Sequence, residues 1–103
     1  MKLITDDLKI LLPPMGSTSE KDNKDIPVPV KFFDPVGSGT WYAAEYDPEE
    51  HICFGYVTGL GDNELGEFSL RELESIKRGD GLTIERDLYW TPRSLDEIIR
   101  ENP

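Results

Sequence analysis

The chain is short of the residue types on which most small-protein chemistry rests. It has one cysteine, Cys53, and one histidine, His51, in 103 residues. A lone cysteine excludes an internal disulfide and fits a reducing compartment. A lone histidine with no CxxC near it excludes the usual zinc-ligand spacings. No apolar run approaches the roughly 18 residues of a membrane span. Asp6 and Asp7 interrupt the opening Met1-Lys2-Leu3-Ile4 before it can serve as a signal peptide. The chain therefore reads as cytoplasmic and off the membrane. Gly55, Gly59, Gly61 and Gly66 lack the G-x-G-x-x-G and P-loop contexts and read as turns and bulges.

Cations are also scarce. Eleven Lys and Arg face 21 Asp and Glu, for a net charge of −10. Residues 1–50 hold five cations against ten anions, and 51–103 hold six against eleven, so neither half is basic. Such a surface disfavours direct contact with nucleic acid or anionic lipid. A partner reached by electrostatic attraction would be a protein with a basic surface.

What is present is a globular composition, 37% hydrophobic and 31% charged, with two Trp, four Tyr and four Phe. This length predicts a single domain over 1–103 with a modest core. Thr5 can cap a helix over 5–12 that puts Ile4, Leu8, Leu11 and Leu12 on one face before Pro13-Pro14 stops it. Residues 15–25 read as a mobile polar loop. Extended segments follow at 26–33, with Val28, Val30 and Phe32 on one side, at 40–46 and at 51–58, with a short strand at Glu67-Phe68. Ser69 and Glu72 have capping-box spacing for a helix over 69–78, with Lys77 and Arg78 in its last turn and Gly79 ending it. Residues 83–90 read as extended, and Ser94 with Glu97 starts a helix over 94–101. The expected fold is α+β: an antiparallel meander of three to five strands with three short helices packed on it.

Three constellations carry possible chemistry. Glu85-Arg86-Asp87 sits on an extended segment, so both carboxylates share a face and Arg86 takes the other. One reading is a carboxylate site for a metal-dependent hydrolase or a small-ligand binder, with Glu45 and Glu64 as further oxygen ligands. The other, favoured because no third ligand stands at diagnostic spacing, is structural: Arg86 clamps Glu64 or Glu45. His51 and Cys53 could share a strand face, but an apolar run favours the neutral thiol. The doublets Trp41-Tyr42 and Tyr89-Trp90 each predict one core-facing and one surface ring.

Several of these stretches together carry a resemblance. They are Val30-Lys31-Phe32-Phe33, Thr40-Trp41-Tyr42-Ala43, Glu45-Tyr46-Asp47, Phe54-Gly55-Tyr56-Val57-x-Gly59, Glu64-Leu65-Gly66-x-Phe68-Ser69-Leu70-x-Glu72-Leu73-Glu74 and Gly81-Leu82-x-Ile84-Glu85-Arg86-Asp87. In order and spacing they resemble the bacterial family called domain of unknown function 2958. That resemblance brings no catalytic residues or cofactor with it. It implies carriage on plasmids, integrative elements and phages. The expectation is a non-enzymatic interaction module of a mobile genetic element, acting on host defence or nucleic-acid-binding machinery. Its expected contact residues are Trp41, Glu45, Tyr46, Glu64, Glu85, Arg86 and Asp87, with no metal.

Overall fold

Six consecutive residues, Trp41 to Tyr46, are buried in the strand β3 (Thr40–Asp47). A strand with one wet face buries every second residue, so an unbroken run means that both faces are covered. Trp41 and Ala43 pack with Phe32, Leu8, Leu12, Leu70 and Leu73 on one face. Tyr42 and Ala44 pack with Val28, Tyr56, Leu95 and Ile98 on the other. The computed structural model describes residues 2–77, 79 and 81–103. The expected outward ring of the Trp41-Tyr42 doublet is therefore buried too, because each ring has its own core.

Around β3 runs a five-stranded antiparallel sheet. Its other members are β2 (Val30–Phe33), β4 (Ile52–Thr58), β5 (Glu64–Ser69) and β6 (Glu85–Arg86), in the order β5-β4-β3-β2-β6. The meander is as read, with β5 longer than the two residues expected. Ile52, Phe54 and Tyr56 alternate against Cys53, Gly55 and Val57. A bulge interrupts the β3–β4 register between Ala43 and Glu45. It resets the alternation, so Tyr46 returns to the face of Trp41. Gly55 is required here: a Cβ at that position would stand 1.7 Å from the Tyr42 carbonyl oxygen.

Helices α1 (Leu8–Leu11) and α2 (Leu70–Ser75) cover the first face, and α3 (Leu95–Glu101) covers the second. Ser69 and Ser94 accept the backbone N–H of Glu72 and Glu97, as the capping spacing predicts. Three expectations need correction. First, α1 is one turn long, and Leu3, Leu8 and Leu12 are buried while Leu11 is exposed. Second, α2 stops at Ser75, whose hydroxyl donates to the Glu72 carbonyl. Lys77 then forms an antiparallel bridge with Thr83, and Arg78 lies outside the described residues. Third, Val28 does not share a face with Val30 and Phe32. It belongs to β1 (Pro27–Val28), which pairs with β7 (Arg93–Ser94) in a separate two-stranded sheet. Pro29 stands between β1 and β2 and has no N–H for a continuous ladder.

Where β2 ends, the N-terminal segment continues the sheet. Pro14 forms a parallel bridge with Tyr46, whose N–H donates to the Pro13 carbonyl at 3.0 Å.

Candidate protein-docking surface

Arg86 is a clamp, as the favoured reading of the triplet has it, and Asp87 is a second strut. Arg86 lies opposite Phe32 in the β2–β6 register. It therefore points to the α1 face, where its guanidinium forks onto Asp7 at 3.0 and 3.1 Å and donates to Thr5 Oγ1. The Arg86 fork, and then the Thr5 hydroxyl, hold the Asp7 carboxyl below its usual range. Thr5 and Asp7 thus serve Arg86 rather than the helix cap. The expected partners Glu64 and Glu45 are out of reach. Glu64 is on β5, at the opposite edge of the sheet and roughly 19 Å away at normal strand spacing. Asp87 turns back to Lys31, 3.8 Å from its ammonium, and its side chain accepts the Tyr89 N–H. Lys31 also lies over the rings of Tyr42 and Trp90. Trp90 is half-buried, its indole donating to the Val28 carbonyl, and Tyr89 stands 96% exposed at the turn.

Glu45 is spoken for as well. It is buried and accepts the N–H groups of Gly16 (2.7 Å) and Thr18 (2.8 Å) together with the Thr18 hydroxyl. Burial alone would raise its pKa; the three donors outweigh that and hold it below the ordinary value. Its role is to pin the 15–18 segment against β3. Trp41 and Tyr46 are core residues, so they do not contribute to a docking face. The Tyr46 hydroxyl is 2.9 Å from His51 Nδ1. Burial pushes the Cys53 thiol up to about 12, which leaves no thiolate for a dyad with His51.

Of the seven expected contact residues, Glu85, Arg86 and Asp87 share one edge, Glu64 lies on the other, and Glu45, Trp41 and Tyr46 are inside. Among the described residues, no group of three or more His, Cys, Asp or Glu is placed to hold a metal ion. An open groove of about 420 Å³ runs past Lys24, Pro27, Pro92 and Arg93. Arg93 is forked onto Glu101 and bonded to Glu97, so its charge is answered locally.

The surface that stands out is built by β4, β5 and their turns. Between Lys31 and Arg71 the chain has eight carboxylates and no Lys or Arg. Asp34 and Glu45 are buried and Asp47 is half-buried. Glu49 and Glu50 sit in the turn before β4, Asp62 in the turn after it, and Glu64 and Glu67 on β5; all five are exposed. Leu60 and Leu65 are exposed among them. This cation-free span was open to sequence reading. Division of the chain at residue 50 hides it, since each half borrows cations from outside the span.

The model of the family described as Protein of unknown function (DUF2958) matches residues 3–98. No curated protein and no solved structure matches the chain. No helix among the described residues is long and apolar enough to cross a membrane.

Proposed function

The chain belongs to the DUF2958 family, and for this member we propose a non-enzymatic docking role: its acidic β4–β5 side engages a protein with a basic surface. The observation that carries this reading is the exposed run of carboxylates from Glu49 to Glu67, unanswered by any Lys or Arg in the same span. Long-range attraction from such a face speeds encounter with a cationic partner and repels nucleic acid and anionic lipid. Exposed Leu60 and Leu65 supply apolar contact within the charged field. A basic component of host defence, or a host nucleic-acid-binding protein, fits this chemistry in a protein carried by a mobile element. The setting is cytoplasmic.

The test is retention of host proteins on the immobilised chain, beside an unrelated acidic protein and a variant carrying Asp62→Asn, Glu64→Gln and Glu67→Gln. Partners retained by the wild type alone, and released as salt rises, support the role. Equal retention by the neutralised variant, or nothing above the acidic control, removes it.

A further inference from the structure

We propose that β5 is a strand-addition edge, accepting an extended, lysine- or arginine-bearing segment of a partner protein as a sixth strand; this rests on the docking role above. Backbone bonding on β5 leads to it. The Leu70 N–H donates to the His51 carbonyl at 2.9 Å, and the register continues through Phe68↔Cys53, Gly66↔Gly55 and Glu64↔Val57. Bonded and non-bonded pairs alternate in an antiparallel ladder. Glu64, Gly66 and Phe68 therefore spend their backbone groups on β4, while Leu65 and Glu67 aim N–H and C=O away from the sheet. β5 is the terminal strand, so those groups meet no strand among the described residues.

The edge is open as well as unpaired. Gly66, between the two outward-bonding residues, has nothing within 4 Å of where a Cβ would stand. A recess of about 200 Å³ at the end of the edge is lined by Ile52, Phe68 and Ser69, with Glu67 and Glu72 also in its wall. That combination suits a lysine or arginine, whose methylene stem packs on an apolar floor while its charged head meets carboxylates. A second copy of this chain is the wrong occupant. Pairing β5 with itself antiparallel about Gly66 would set Leu65 opposite Glu67, bring the two Glu67 carboxylates to a diagonal on one face and supply no cation to either strand. Main-chain bonds would supply affinity and the flanking carboxylates the preference for a cationic strand.

The test uses the full chain, ¹⁵N-labelled, and a capped eight-residue peptide alternating lysine and valine. Saturable binding is expected, with exchange of the Leu65 and Glu67 amides slowed at least about tenfold at saturation. Leu65→Pro removes one outward N–H and leaves every bond to β4 in place. It should weaken binding about tenfold, whereas Leu65→Ala stays within about threefold. Unchanged exchange at Leu65 and Glu67 on saturation overturns strand addition but leaves the docking role standing; so does full-strength binding by a natively folded Leu65→Pro. Should Leu65→Pro not fold, the exchange measurement on the wild type decides. Equal affinity for a glutamate–valine peptide overturns the cationic preference, and no binding of the lysine–valine peptide even at low salt overturns strand addition, while the docking role falls only on the retention result above.

Discussion

At the β6 edge the sheet ends after two residues, with Arg86 forked onto Asp7 and Lys31 set between Asp87 and the rings of Tyr42 and Trp90. At the β5 edge six residues pair with β4 on one side only, and the strand carries Glu64 and Glu67 and no cation. Both devices guard against unwanted pairing, but in different ways. The β6 side removes the edge by shortening it and turning away at Asp87. The β5 side keeps the edge and makes it selective by charge. A net charge of −10 does not describe either side, because Lys31 and Arg86 pair at the β6 side while the span 32–70 that holds β5 has no Lys or Arg.

The contrast can be broken at its seam. Gly55→Ala drives a Cβ into the Tyr42 carbonyl, at the β3–β4 pairing that joins the two sides. A loss of at least about 3 kcal/mol, or no folded protein, is expected in urea denaturation. Wild-type stability in this variant would show that the bulge can slide to make room.

Glu45→Gln is next. The amide would turn a donor toward Gly16 or Thr18, and about 2 kcal/mol should be lost at neutral pH. The sign of its pH dependence follows from the lowered folded pKa. The stabilisation is complete above the unfolded value of 4.5 and disappears as pH falls through the folded one. The wild-type and variant denaturation midpoints should therefore converge in acid; a constant gap would mean the carboxylate charge is irrelevant.

Arg86→Met keeps the stem and removes the fork onto the half-exposed Asp7. A loss of about 1 kcal/mol is expected, shrinking in high salt. At the other edge, Glu64→Gln with Glu67→Gln should change stability by no more than about 0.5 kcal/mol. A large loss in a thermal melt would mean that these carboxylates hold the fold together and are not free for a partner.

How much of this was legible in the sequence depends on how far apart the interacting residues lie. Ser69 with Glu72, and Ser94 with Glu97, are three residues apart, and the spacing alone placed both helix starts. The strands of the meander were legible from alternation at 51–58. Burial of both Trp41 and Tyr42 was not, because it depends on α3, which returns from the far end of the chain to cover the second face. Arg86 was legible as a clamp, but its partner Asp7 lies 79 residues away, and local pattern gave no reason to prefer it over Glu45 or Glu64. Glu45 read as a surface acid because its donors, Gly16 and Thr18, lie in a segment whose composition suggests only a loop. The bulge after Ala43 has no local signature apart from Gly55 on the facing strand.

The Pro13–Pro14 strap along β3 has a practical consequence for anyone trimming this protein. It occupies β3 beyond the point where β2 stops, through the Pro14–Tyr46 bridge and the Tyr46 N–H bond to Pro13. Cutting the chain back past Ser17 would uncover a stretch of inner strand that carries buried aromatic residues instead of gatekeeping acids. Shortened versions should clump on storage, long before their helices melt.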